Sequence, residues 1–292
     1  MKDMEKTELQ AKIYSKIDEL PTIPAQLPKL LYLVENSETN TSDLSDMISR
    51  DLAMTSKILK VANSAYYGFQ KKVSDLDRAV PLLGFNMVKS LALSIGIINS
   101  LPSERKNQGF SREGLWIHSL AVATLMEELN RRLNKRDKSE YVFIIGLLHD
   151  IGKIVLDQFF NELFQQALEE VRESGKSKLY VAERRVIGVD HGEIGDMLLT
   201  RWNFPDVISN PIAVHHQAGV PEGTNVNDAA MLRIADALSQ GFGLGEEETS
   251  IPPEINKDDL EVLKMKDEEL EDLKTYLNGA RDGIYDFFNA MG

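Results

Sequence analysis

Residues 141–150 read Tyr-Val-Phe-Ile-Ile-Gly-Leu-Leu-His149-Asp150, an apolar run closed by a histidine and a carboxylate. The run is too short to span a membrane and too uniformly apolar for a surface helix, so it has to be buried. His149 and Asp150 are then carried into the interior. There they are costly unless paired, hydrogen-bonded or bound to a metal. Any fold for this chain must therefore wrap further helices around 140–150 and bring partners to its polar end.

Candidate partners follow in order along the chain. The five histidines are His118, His149, His191, His215 and His216, and Asp236 follows them. His118 and Asp236 each fall in an expected helix among small or apolar neighbours, Ser119-Leu-Ala and Ile234-Ala-Asp236-Ala-Leu. Imidazole and carboxylate donors together suit divalent iron, manganese or zinc. Cysteine is absent, which excludes disulfides, thiolate metal sites and cysteine nucleophiles. His118, His149, Asp150 and Asp236 can close around one ion. His191 and His215 can add a second, with Asp150 bridging. On a helix the consecutive His215 and His216 diverge by about 100°, so one is expected to meet the metal and His216 to face a ligand or the surroundings of the donors. Lys153, one short turn beyond Asp150, is a candidate contact for a phosphate or carboxylate. In a hydrolase such a centre would lower the pKa of a water to make the nucleophile. The plainer reading of Asp190-His191-Gly192-Glu193 is a helix start, and Trp116 and Trp202 read as core residues.

No segment alternates with period 2, and nearly all of the chain reads as helix. The expected class is all-α, a multi-helix bundle with an all-helical N-terminal subdomain. Helices are expected at 7–20, at 26–34 after the prolines of Leu20–Pro28, and from a cap at Thr41-Ser42-Asp43. Ser74-x-x-Asp77 is a capping-box start for a helix ending at Gly84, with Pro81 inside it. Further helices are expected through Trp116 and His118, at 140–150, from Ile154 to Val171, and at 178–188, 191–202 and 227–240. Two more, at 257–266 and 267–290, are acidic outside, and Leu270, Leu273 and Leu277 give the last an apolar stripe. The organisation expected is an N-terminal helical subdomain at 1–109, a metal-binding helical subdomain at 110–243 and an acidic helical extension at 244–292.

The net charge of −13 is concentrated at the end: residues 244–292 hold 14 acidic and 5 basic side chains, a net of −9. Residues 42–100 hold 7 basic and 5 acidic, too mild an excess for a phosphate backbone. DNA binding is therefore not expected. The charged start, Met-Lys-Asp-Met-Glu-Lys, does not resemble a signal peptide, no membrane helix is expected, and a cytoplasmic location follows as the default.

The second region resembles the HD superfamily of metal-dependent phosphohydrolases in His118, His149-Asp150, Gly152-Lys153 and Asp236. His191 and His215-His216 are similar to the wider donor set of its HD-GYP branch, which hydrolyses cyclic di-GMP. Motifs before and within that region resemble the HDOD domain. They are Leu20-Pro21-Thr-Ile-Pro24, Ile48-Ser-Arg-Asp51, Leu59-x-x-x-Asn63-Ser64-Ala-Tyr66-Tyr67, Leu83-Gly84, Trp116-x-His118-Ser119 and His191-x-x-x-Gly195-x-x-Leu198-x-x-x-Trp202-x-x-Pro205. The resemblance covers about residues 15–240. It implies a bacterial signalling module whose partner is a signalling protein or a phosphate-containing small ligand. It also implies His118, His149, Asp150 and Asp236 as metal ligands, with His191 and His215 for a second metal. After His216 the chain reads Gln217-Ala-Gly-Val-Pro221, without the Glu and Gly-Tyr-Pro element of the cyclic-di-GMP hydrolases. A metal-dependent phosphohydrolase acting on a nucleotide or cyclic dinucleotide is the competing expectation.

Overall fold

A computed structural model describes residues 27–35, 40–101, 109–133, 139–175, 177–217, 219–245 and 254–291. The helix expected at 7–20 and the Leu20–Pro24 motif lie outside these residues. Every regular element among the described residues is an α-helix, so the all-α expectation holds. No single helix among them is long and apolar enough to cross a membrane.

The first five helices are α1 (Leu27–Glu35), α2 (Thr41–Ser49), α3 (Leu52–Ala62), α4 (Leu76–Leu83) and α5 (Phe85–Ser100). Local chemistry sets their starts. Asn40, rather than Thr41, caps α2: its side chain accepts from the N–H groups of Ser42 and Asp43 while Asp43 reaches back to Asn40 N–H. Asp75, rather than Ser74, caps α4 by accepting from Arg78 N–H. Asn63 follows α3. Its side-chain amide donates to the carbonyls of Leu59 and Val73 and its oxygen accepts from Val73 N–H, so it staples the 64–73 loop shut. The apolar face of α5 (Val88, Leu91, Ile95) is buried, and α1, α3 and α4 all pack on this helix.

The second group is built on α6 (Arg112–Arg132), the central helix, against which α7 (Val142–Leu148) packs. A Cβ on Gly146 of α7 would lie 2.6 Å from Ala123 Cα of α6, so the two backbones touch. The apolar run is buried throughout, as expected, but its polar end differs. His149 and Asp150 form a turn, and a new helix, α8 (Ile151–Phe159), starts directly after them. The helix expected from Ile154 to Val171 is broken at Phe160, so that α9 (Asn161–Ser174) is a separate helix. Then come α10 (Leu179–Val186), α11 (His191–Arg201), α12 (Asp206–Ala213) and α13 (Val226–Gly241). Trp116 and Trp202 are core residues.

The last two helices are α14 (Lys257–Val262) and α15 (Asp267–Met291). The stripe on α15 is longer than expected: Leu273, Leu277, Ile284, Phe287 and Met291 are buried. It lies against α6 and α3 and so ties the first helices to the second group. The Phe287 ring meets Tyr66 edge-on at 5.5 Å and Phe143 of α7 at 6.0 Å. Tyr66 and Tyr67 are half-buried and are covered by this acidic helix.

Candidate metal centre

Six helices and turns converge at the close of the apolar run. His118 comes from the middle of α6, His149 and Asp150 from the turn after α7, and Lys153 from the first turn of α8. His191 is the first residue of α11, His215 and His216 lie in the turn after α12, and Asp236 is on α13. All eight residues singled out in the sequence are brought together. These residues are buried except His216, which is half-buried, and Asp236 is the most open of the rest at 8%.

Two close approaches make the convergence possible. A Cβ on Gly152 would fall 1.9 Å from the His191 carbonyl oxygen, so α8 and α11 meet main chain to main chain behind Asp150. Gly245 has φ +94°, and a Cβ there would sit 2.7 Å from His118 N, so the chain leaving α13 closes over the His118 turn of α6.

Asp150 is the hub. One carboxylate oxygen lies 3.2 Å from His149 Nε2, 3.7 Å from His118 Nε2 and 2.7 Å from Lys153 Nζ. The other lies 3.1 Å from His191 Nε2 and 3.8 Å from His215 Nε2. Asp236 Oδ1 completes the first side at 3.0 Å from His118 Nε2, and it accepts from Gln240 at 2.8 Å. The donor atoms fall into two compact groups that share Asp150: His118, His149 and Asp150, and Asp150, His191, His215 and His216.

The opposite nitrogen of each of four imidazoles is fixed by its own contact. His149 Nδ1 lies 2.7 Å from the Gly146 carbonyl, His215 Nδ1 2.6 Å from that of Ile212, His191 Nδ1 2.6 Å from Glu183 Oε2, and His118 Nδ1 3.0 Å from Ser239 Oγ. A carbonyl or carboxylate accepts, so Nδ1 carries the proton in the first three, and the Nε2 atoms face the cluster. The Nε2 atoms of His149 and His215 are buried without a hydrogen-bond partner. Buried polar atoms are rarely left so. A divalent cation is what these donors fit: imidazole and carboxylate only, facing one another around a common aspartate.

His216 departs from expectation. The turn after α12 is not helical, so the 100° divergence does not apply. The His215 and His216 rings lie 3.8 Å apart and both face the Asp150 side. His216 Nε2 is 2.8 Å from His191 Nε2, a distance that two nitrogen lone pairs hold only with a proton or a cation between them. Lys153 departs as well: its ammonium, expected to meet a phosphate, is buried against Asp150.

The electrostatics follow from this packing. Burial disfavours ionised Asp150, but the adjacent His149 and Lys153 outweigh it and hold the carboxyl well below its usual range. Asp236 is likewise drawn down against burial, to about 2, mainly by its hydrogen bond to His118. Burial opposes the cation of His191 too, yet Glu183 and Asp150 bring it up to about 10. His149 is pushed down by burial, and His216 further, by burial and its histidine neighbours. The centre therefore contains ionised carboxylates beside imidazoles of opposite tendency.

Glu183 was not foreseen. It is fully buried, and its Oε2 accepts from both His191 N and His191 Nδ1, at 2.9 and 2.6 Å. In Val-Ala-Glu183-Arg-Arg it reads as one more charge on a solvated helix. The available signal was its spacing, with Glu183 on the same helical face as Leu179 and Ala182.

A fold that is all-helical among the described residues and gathers histidines and aspartates from separate helices around one aspartate defines a class of helical histidine–aspartate proteins. Within that class the chain belongs to the HDOD domain family, whose model matches residues 20–218. Over 216 residues it is 32% identical to an uncharacterised protein of Treponema pallidum (strain Nichols), covering 72% of this chain and 40% of that one. The chain thus spans less than half of that relative. Its fold is similar to that of a signal transduction protein, provisionally assigned as such, from Marinobacter aquaeolei VT8, with TM-score 0.81, 20% identity and coverage of 98% and 66% of the two chains. It is also similar to a provisionally assigned phosphohydrolase from Shewanella amazonensis SB2B, with TM-score 0.76, 23% identity and coverage of 96% and 98%.

Proposed function

We propose that this chain is a bacterial, cytoplasmic HDOD signalling protein that holds a divalent metal pair and acts by binding a signalling partner or a phosphate-containing ligand. The observation that carries this reading is the enclosure of the donor set. Two groups of donors share Asp150, while every residue of the set but His216 is at most 8% exposed. His118, His149 and Asp236 would hold one ion and His191, His215 and His216 the other, with Asp150 common to both; iron, manganese and zinc are the candidates. Lys153 offsets the charge of Asp150 and keeps its carboxylate in place. An ion set so deeply orders α6 and α13 together with the end of α7, the start of α11 and the turn after α12. Its loading is thereby coupled to the surface those helices present, and that surface is what a partner would read.

The second reading is a metal-dependent phosphohydrolase acting on a nucleotide or cyclic dinucleotide. It is favoured by the completeness of the donor set, and the fold shared with the Shewanella protein agrees with it. When bound, divalent ions would supply Lewis-acid charge for a phosphoryl group and a lowered water pKa. Elemental analysis of the purified protein, joined to a turnover assay on nucleotides and cyclic dinucleotides, separates the two. The signalling reading expects bound metal without turnover. Turnover that disappears in Asp150→Ala establishes the hydrolase, and a protein that takes up no iron, manganese or zinc refutes both.

A further inference from the structure

One short helix stands behind only half of the centre. Three residues of α10 at helical spacing, Tyr180, Glu183 and Arg184, point the same way. Glu183 accepts from His191 twice. The Tyr180 ring lies flat on His216, with centroids 4.3 Å apart and planes 11° apart. Arg184 lies over the Tyr180 ring at 5.5 Å. It also pairs with Asp190, the residue that caps α11 immediately before His191. Among the described residues the opposite group is held differently. His118 and His149 are tied to Ser239 and to a carbonyl of α7, within the helices that carry the core.

We infer that α10 is a positioning element for the His191–His215–His216 side of the metal pair, and that Glu183, by fixing His191, sets the affinity of that ion independently of the ion held by His118, His149 and Asp236. The inference rests on the metal-pair reading of the preceding section. The physical basis is the tautomer. With Nδ1–H donated to a buried carboxylate, His191 can offer only Nε2, and the imidazole becomes a stronger donor. The Tyr180 stack keeps the His216 ring in the plane that aims Nε2 at His191. Partners of this kind change metal affinity about 10–100-fold.

The test is a titration of metal-stripped full chain with Mn2+, read by bound-metal analysis and by electron paramagnetic resonance. Wild-type chain is expected to bind a pair with the broadened spectrum of spin-coupled ions. In Glu183→Gln one ion should bind about 10–100-fold more weakly, and the other, retained with unchanged affinity, should give the six-line spectrum of isolated Mn2+. Glu183→Asp should recover part of the coupled signal. Tyr180→Leu provides a second variant with a smaller loss on the same ion, should Glu183→Gln fail to fold. Arg185→Ala, on the exposed side of the same helix, should match wild type. Equal weakening of both ions in Glu183→Gln, or two ions held at wild-type affinity, overturns the role of α10 while leaving the metal pair standing. Wild-type chain that binds no Mn2+, iron or zinc removes the metal reading itself, and this inference with it.

Discussion

The helices before residue 101 and those after residue 109 bury different kinds of side chain. In the first set the core is Leu27, Leu30, Leu44, Ile48, Ile58, Val61, Leu91 and Ile95, and the buried polar groups are Ser45, Lys89, Ser90 and Ser94. In the second, His118, Glu128, His149, Asp150, Lys153, Asp157, Glu183, Asp190, His191, His215, Asp228 and Asp236 are all buried. Apolar burial contributes stability in proportion to area, whereas buried charge rarely does and is kept for what it binds or specifies. The first region is packed almost wholly with apolar side chains, and the second adds to its apolar core a polar interior, part of which forms the candidate site.

The sharpest way to break this contrast is at the hub. Asp150→Ala should abolish metal uptake and, in metal-stripped protein, also destabilise. It removes the carboxylate paired with the Lys153 ammonium at 2.7 Å in a fully buried setting. Loss of one partner of a buried pair costs about 3–5 kcal/mol. Urea denaturation of stripped protein measures this. A stability equal to wild type would mean that the pair is not a structural element. The matching change in the first region is Ile58→Ala, at a fully buried position of α3. It should cost about 2–5 kcal/mol and leave metal stoichiometry untouched. If metal content falls in proportion, the two regions are not separable.

What the sequence reveals divides along the same line. The donors His149, Asp150 and Asp236 were legible because they are residue types that an apolar helix does not otherwise tolerate: His149 and Asp150 close an apolar run, and Asp236 stands between Ala235 and Ala237. The helix order and the last apolar stripe were legible from period. The break at Phe160 was not, because no Gly or Pro marks it; the residue is buried with a non-helical backbone, φ −129° and ψ 31°. Cap positions slipped by one residue at Asn40 and Asp75 because adjacent polar residues compete for the same role. The orientation of His216 was hidden by treating a turn as helix. Glu183 was hidden because burial of a charge depends on a partner eight residues away that local pattern does not display.

Asp228 tests whether every buried charge of the second region serves the centre. It lies two turns before Asp236 on α13, about 12 Å away along the axis. One of its carboxylate oxygens is buried without a partner. Burial raises its pKa to about 6, against the lowering effect of a hydrogen bond from Ser139. A carboxyl raised in the folded state binds its proton more tightly there than when unfolded. Its stabilising contribution is complete below about pH 4 and is lost as pH rises through about 6. Asp228→Asn should therefore be more stable than wild type at pH 7.5 by on the order of 1–3 kcal/mol, with the difference shrinking as pH falls from 7 toward 4. Thermal melts of both proteins across that range, with metal content measured alongside, decide the point. Unchanged metal and a shrinking gap would mark Asp228 as a charge the centre does not need. A variant that loses metal, or is destabilised at pH 7.5, would extend the centre's polar support two turns along α13.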